Sequence, residues 1–354
     1  MVMSVTVADA PGVQGVTEQV LVHAARHRKG MTQMTENPTP QRVLVFGAAG
    51  HIGAPLVRYV MRRAPQTAIR AVTSDASKLA GISERLPGAE AVVADYLKPD
   101  TLAAALEGVD AVFVVTPDFL DEVTAMTNLV GAIRAAGSVR HIVRITGDPP
   151  GVDDAAKVPQ VLRDWKGGTA IQHTVARRIL DNSGLPVSYV NIAAYIMDDY
   201  LTMFAPPLML HRMITLPFDH KMAYIDPTDI GEAAGEILLN TDGKFVGETT
   251  HLDNGQDLLL FSEVAELLGE VLGEKVGFDD TPSKFDEVNG DILRTWVGRE
   301  DAVDYYIEYF RWEAEISDRF RVSDVVERLL GRKAKSLREW FEEHKTALTT
   351  PAAT

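Results

Sequence analysis

From Arg42 onward, short apolar runs alternate with stretches of helical period. VLVF (43–46), AIRAV (68–72), EAVVA (90–94), AVFVV (111–115), HIVRIT (141–146) and VSYV (187–190) predict six strands. Between them, Ala54–Arg63, Ala76–Arg85, Asp100–Leu106, Asp121–Ala136 and Thr169–Asn182 predict helices, the last three stopping near Gly108, Gly137 and Gly184. Several strands are apolar on both faces, as in a sheet covered by helices on both sides. Strands alternating with helices in this way imply βαβ crossovers and an α/β fold with a doubly wound parallel sheet over residues 41–195.

After about Tyr195 the regularity fades. Residues 198–219 are rich in Met, Pro, Leu and His. Residues 226–240 then predict a helix capped by Thr228 or Asp229. Ser262 is expected to cap a helix with Val264, Leu267, Leu268, Val271 and Leu272 on one face, ended by Gly273. Further helices are expected over Phe285–Trp296, Asp301–Trp312, Ser323–Leu330 and Ser336–His344, the last opened by a Ser336/Glu339 capping box. Residues 196–350 therefore read as a smaller α-rich lobe, with the chain free to cross back to the sheet. Residues 1–40 lack a clear period and read as a loose arm with one short helix around Thr17–Arg26; Met31 and Met34 are alternative starts.

VLVFGAAGHIGAPLVRYVM (43–61) carries the clearest chemistry. Gly47 lets the chain turn out of the first strand, Gly50 lets backbone approach a pyrophosphate, and Gly53 lets the helix pack close to the sheet. With Ala49, His51 and Ile52 they form a turn whose helix N-terminus offers N–H groups and a positive dipole end to phosphates. The spacing is G-x-x-G-x-x-G rather than G-x-G-x-x-G. Its position after the first strand of a βαβ series favours dinucleotide binding over a bare βα turn. The second strand ends in VTSDASK (72–78). Thr73 and Ser74 can bond a 2′-phosphate and Lys78 can reach it. Asp75 lies one or two residues late for a ribose contact, so NADP(H) is preferred over NAD(H).

Composition narrows the classes. Hydrophobic residues make up 46% of 354, enough for a large core. The charge is 35 basic against 50 acidic, −15, which repels phosphate backbones and argues against nucleic-acid binding. There is no cysteine, which excludes disulfides, thiol nucleophiles and thiolate metal sites. Apolar runs are too short for a membrane span, and QVLV followed by His23, Arg26, His27, Arg28 and Lys29 does not read as a signal peptide, so a cytoplasmic location is expected. There is no H-E-x-x-H; His211 and His220 are read as lid or pocket residues and no metal is expected. G-x-S-x-G is also absent.

With these residues in view, the chain resembles the NmrA-like family of atypical short-chain dehydrogenase/reductases, including azoreductase-, quinone-reductase- and isoflavone-reductase-like members. The likeness rests on 43–53, VVADYLKPDTLAAALEGVDAVFVVTP (92–117), ILDNSGLPVSYVNIAAYIMDD (179–199) and VSDVVERLLGRKAKSLREWFEEH (322–344). It implies a Rossmann-type domain with a C-terminal lobe closing over substrate. It further implies Asp95 and Tyr96 beside adenine, Thr116 and Pro117 near ribose and nicotinamide, and Thr146 with Gly147 at the end of the fifth strand. The chain departs from the pattern in lacking a Tyr-x-x-x-Lys pair near 169–182, in having His173 where isoflavone-reductase-like members carry lysine, and in having Arg177, Ser74 and Val190-Asn191-Ile192 at altered positions.

Two functions are compatible with this sequence. The first is an NAD(P)H-dependent reductase of a small conjugated or aromatic acceptor of quinone, enone or azo type. His173 is then the candidate acid, because an imidazole titrates near neutral pH, and Tyr195 is a second donor or a substrate wall. Trp165, Met197, Tyr200, Met203 and Phe204 are candidates for an apolar pocket, with core packing as the competing reading. The second function is a non-catalytic NAD(P)-binding redox sensor acting through a protein partner. Tyr305, Tyr306, Tyr309, Phe310 and Trp312 are expected to be core or a contact within a homodimer.

Overall fold

The computed structural model describes residues 39–349. The arm and its expected helix around Thr17–Arg26 lie outside the described residues, except Thr39 and Pro40. The six expected strands form as β1 (Arg42–Val45), β2 (Ala68–Thr73), β3 (Glu90–Val93), β4 (Ala111–Val114), β5 (His141–Thr146) and β6 (Val187–Ile192). Between them run α1 (Gly53–Arg63), α2 (Leu79–Arg85), α3 (Pro99–Ala105), α4 (Glu122–Ala136), α5 (Gln160–Arg163) and α6 (Thr169–Asp181). The expected helix Ala76–Arg85 is a 3-10 turn, Ala76–Lys78, running into α2.

Later elements are β7 (Tyr195–Ile196), α7 (Ala205–His211), β8 (Met213–Thr215), β9 (Lys221–Ile225), α8 (Pro227–Leu239), β10 (Thr249–Leu252), β11 (Leu258–Leu260), α9 (Phe261–Leu272) and β12 (Gly277–Asp279). Four helices follow: α10 (Pro282–Val297), α11 (Ala302–Glu315), α12 (Val325–Leu330) and α13 (Leu337–Thr349). The main sheet has seven strands in the order β10-β6-β5-β4-β1-β2-β3, every pair parallel. The chain thus has the Rossmann-type α/β fold. After β3 the chain crosses from one side of β1 to β4 on the other, so the carboxyl ends of β1 and β4 flank a topological switch point, where such sheets bind ligands.

Three cores hold these layers. On one sheet face, Leu56, Val57 and Val60 of α1 pack with Ile230, Ala233, Ala234 and Ile237 of α8. On the other, Met126, Leu129 and Ile133 of α4 meet Ala176 and Leu180 of α6. The third core is aromatic and lies among the later helices, with Tyr200, Phe204, Phe261, Tyr305, Phe310, Trp340 and Phe341 fully or nearly fully buried. Tyr305, Tyr306, Tyr309, Phe310 and Trp312 are all interior to this core, so they are not exposed for a subunit contact.

Two expected caps are corrected. Asp226 caps α8, accepting from the Thr228 N–H at 2.8 Å with Pro227 in the first turn, while Asp229 is buried against Arg332 at 2.7 Å. Helix α9 starts one residue before Ser262, whose hydroxyl donates to Asp219 Oδ2 at 2.5 Å. The capping box at α13 is present: the Ser336 N–H donates to Glu339 Oε2 at 2.8 Å and the Glu339 N–H to Ser336 Oγ at 3.3 Å.

Candidate functional site

The turn between β1 and α1 is built by its glycines. Gly47 has φ +64°, and a Cβ there would lie 2.7 Å from Val115 Cγ1. A Cβ on Gly53 would sit 2.2 Å from the Gly47 carbonyl oxygen, so the helix can start this close to the strand only without a side chain. The first turn of α1 carries no acidic residue, and the N–H groups of His51 and Ile52 have no partner among the described residues. These unpaired donors and the positive helix end suit a pyrophosphate.

A cleft of about 870 Å³ lies over this turn. Its central wall includes Gly47, Ala49, Gly50, His51, Ile52 and Gly53. One end is formed by Thr73, Ser74, Ser77, Lys78 and Arg85, and by Asp95 and Tyr96 after β3. The other end is formed by Thr116, Pro117 and Leu120 after β4. Thirteen of the fourteen expected cofactor-binding residues therefore line one cleft; Thr146 is the exception. It is fully buried and donates to Asn191 Oδ1 at 2.8 Å, because Asn191 also accepts from the Asp148 N–H and ties the ends of β5 and β6 together.

Local bonds explain how the two ends are shaped. Asp75 turns its carboxylate onto Ser77, accepting from the Ser77 N–H at 2.9 Å and its hydroxyl at 2.7 Å, which holds the Asp75 carboxyl below its ordinary range. It does not line the cleft, whereas Lys78 and Arg85 do, and neither cation has an ion pair among the described residues. Tyr96 stacks on Phe46 with centroids 4.2 Å apart and donates to the Val115 carbonyl at 3.1 Å, giving a flat apolar wall. Thr116 is bound to Glu122, and Arg144 donates to both, to Thr116 Oγ1 at 2.8 Å and Glu122 Oε1 at 2.9 Å.

Neither expected catalytic residue lines the cleft. His173 is only 8% exposed, its Nδ1 has no partner, and Nε2 lies 3.2 Å from where a Gly147 Cβ would be. Burial, and then the nearby Arg144, push its pKa down to about 3, so the ring is neutral at physiological pH in this structure. Tyr195 packs edge-on against Phe261 and donates to Glu313 Oε2 at 3.3 Å. Burial and Glu313 raise its pKa well above the ordinary value. Of the apolar-pocket candidates, Met197, Tyr200 and Phe204 are fully buried in the aromatic core, and Trp165 is covered by Arg299 at 4.3 Å. His220 is buried with Nδ1 at 2.6 Å from the Phe218 carbonyl, and no group of residues able to hold a metal occurs among those described.

Sequence reading missed Phe46, Ser77 and Arg85 in the cleft. Arg85 had a usable signal, a cation at the end of the helix after β2. It also missed Arg144, a fully buried guanidinium in the interior strand β5; a lone arginine inside HIVRIT was that signal. Asp198, which bonds His51 Nδ1 at 2.8 Å, had none, since the two are 147 residues apart.

Comparison with known proteins agrees with this geometry. The model of the NmrA-like family matches residues 39–343. The NAD(P)H azoreductase of Xenophilus azovorans is 26% identical over 306 residues, covering 86% of this chain and 98% of that protein. Among solved structures, the Citrobacter sp. triphenylmethane reductase complexed with NADP(H) aligns with a TM-score of 0.67 at 20% identity, covering 85% of this chain and 99% of that one. NmrA, a negative transcriptional regulator, in complex with NADP aligns at 0.66 and 18% identity, covering 86% and 95%. Matched from its first described strand into its last helix, the chain belongs to the NmrA-like family.

Proposed function

We propose that the chain is an NAD(P)H-dependent reductase of a small conjugated or aromatic acceptor of quinone, enone or azo type. The observation that carries this reading is the cleft of about 870 Å³ at the switch point, with unpaired N–H donors at its centre. Relatives named as an NAD(P)H azoreductase and a triphenylmethane reductase support it. The dinucleotide lies along residues 41–195: pyrophosphate on Gly47–Gly53, adenine against Phe46 and Tyr96, nicotinamide toward Thr116 and Pro117. Bound there, it supplies a hydride, and the protein supplies orientation and a dry surface. The substrate sits against residues 196–350, of which α8 and β10 also serve the sheet.

NADP(H) is the preferred form, because Ser74, Ser77, Lys78 and Arg85 gather at the adenine-ribose end while Asp75 is turned away. The test is titration with NADPH and NADH by fluorescence, then oxidation of the bound form with a panel of quinones, enones and azo dyes. NADPH is expected to bind at least about tenfold more tightly, and Lys78→Ala with Arg85→Ala to remove that preference while sparing NADH. Equal affinities would refute the preference. A second reading is favoured by one observation, that neither His173 nor Tyr195 opens onto the cleft: a redox sensor that binds the nucleotide and acts through a protein partner. Tight binding without turnover on any acceptor would select it.

A further inference from the structure

Reduction of a quinone, enone or azo group takes a hydride and a proton, and the cleft offers few sources for the proton. Lys78, Arg85, Asp95 and Tyr96 stand at the adenine end, and the Tyr96 hydroxyl is spent on the Val115 carbonyl. His173 and Tyr195 do not line the cleft. His51 differs from all of these. It lines the centre of the cleft, its side chain is 50% exposed, and its Nε2 has no partner among the described residues. Its Nδ1 is held at 2.8 Å by Asp198 Oδ2, and the other Asp198 oxygen is buried without a partner.

Asp198 belongs to the 3-10 segment Met197–Leu201, which follows β7. The charged groups around the ring are Asp198 and then Asp199 of this segment; Asp199 in turn feels Asp118 after β4. The imidazole therefore has carboxyl groups as its charged neighbours. This arrangement fixes the tautomer, leaves Nε2 free, and stabilises the imidazolium, as a carboxylate does behind a catalytic histidine.

We propose that His51, oriented by Asp198, is the proton donor of the reduction. The proposal rests on the reductase reading. The acceptor gains a hydride, with its electron pair, from the reduced nicotinamide as a new C–H or N–H bond. The resulting oxygen or nitrogen anion takes the Nε2 proton, the imidazolium becomes imidazole, and solvent returns the proton. The acceptor is reduced by two electrons and the nicotinamide is oxidised by the same two.

The hydrogen bond His51 donates to Asp198 raises the His51 pKa above 6.5 against the opposing effect of burial. Turnover should then fall as pH rises through that raised value. His51→Gln should lower kcat by about 10²-fold or more at neutral pH, measured at saturating nucleotide so that any change in binding is separated from it, and abolish the fall. Asp198→Asn should move the fall to lower pH. Independently of turnover, NMR titration of the His51 ring in the nucleotide-free protein should give a pKa above 6.5 that drops in Asp198→Asn. A His51→Gln variant that keeps the wild-type kcat and pH profile would overturn the proposal and leave the reductase reading standing. A wild-type protein that binds nucleotide but turns over no acceptor would overturn both.

Discussion

His173 and His51 carry the same side chain and do opposite things, because burial decides what an imidazole can hold. His173 sits under Gly147 among β5, α6 and Arg144, where a positive charge is costly, so its pKa falls to about 3. An unfolded chain protonates this residue below about 6.5 and the folded chain does not, so the unfolded state binds more protons between about 3 and 6.5. Folding stability contributed through His173 is complete above that window and is lost as pH falls through it. Replacing His173 by Asn should remove this share of the acid sensitivity in thermal melts and leave the pH profile of turnover unchanged between pH 6 and 8, a window set by the ordinary imidazole pKa. A turnover profile that changes in His173→Asn would return the residue to the role its position in the sequence suggested. Sequence showed where a histidine lies along the helix; it could not show that the end of β5 closes over it.

At the scale of elements, legibility followed period. The strands β1 to β6 and the helices α1 to α4 and α6 were readable because each has enough residues to express an apolar run or a 3.6-residue repeat, whereas α5, with four residues, was not. The strands β7, β8, β11 and β12 have two or three residues each, too few to show any alternation, and exist because neighbours hydrogen-bond to them. The edge strand β10 reads TTHL, a mostly polar run that pairs with β6 through backbone and through Asn191 Nδ2 to His251 Nδ1 at 3.0 Å. The nucleotide turn was legible because its glycines are demanded locally. The fit of α8 onto α1 was not, although its small residues were visible: a Cβ on Gly231 would lie 2.5 Å from the Ile52 carbonyl oxygen and 2.8 Å from the Leu56 nitrogen. Backbone atoms cannot swing away as side chains do. Gly231→Ala should therefore push α8 off the start of α1, costing about 1–3 kcal/mol in denaturant unfolding and weakening nucleotide binding together. Gly131→Ala, on α4 with open space around it and outside the cleft, is the control that should not lower stability and should leave nucleotide binding unchanged. Weakened stability with unchanged nucleotide affinity would show that the phosphate turn does not depend on this helix contact.

Over the whole molecule, the acidic balance of −15 is matched by an unusual interior. Burial raises Asp118 to about 6, Asp148 and Asp199 to about 7, and Glu313 to about 8. Among the described residues none of the four forms an ion pair with lysine or arginine. Glu313 is the deepest, 4% exposed, held by hydrogen bonds from Tyr309 and Tyr195 with His220 Nε2 3.9 Å away. Between the ordinary carboxyl pKa and the raised value, the unfolded chain is ionised and the folded chain keeps its proton. The folded state then binds more protons, so stability falls as pH rises through this window and levels off above the raised pKa. This trend opposes the one through His173 and through His141, His220 and His251, which are also held below the ordinary imidazole range, but the histidine trend is complete above about 6.5 and the carboxyl trend continues beyond it. Repulsion within a chain of high negative charge adds to it at alkaline pH. The melting temperature should therefore be highest on the mildly acidic side of neutrality and decline toward about pH 8, where the most raised of the four groups titrates. Glu313→Gln keeps the volume and the capacity to accept from Tyr195 while removing the titration. It should flatten the decline and melt higher than the wild-type protein at alkaline pH, and differ little from it in mild acid. A variant that declines as steeply as the wild type would mean that Glu313 is ionised in the folded chain, with its two tyrosine hydroxyls sufficient to hold a buried charge.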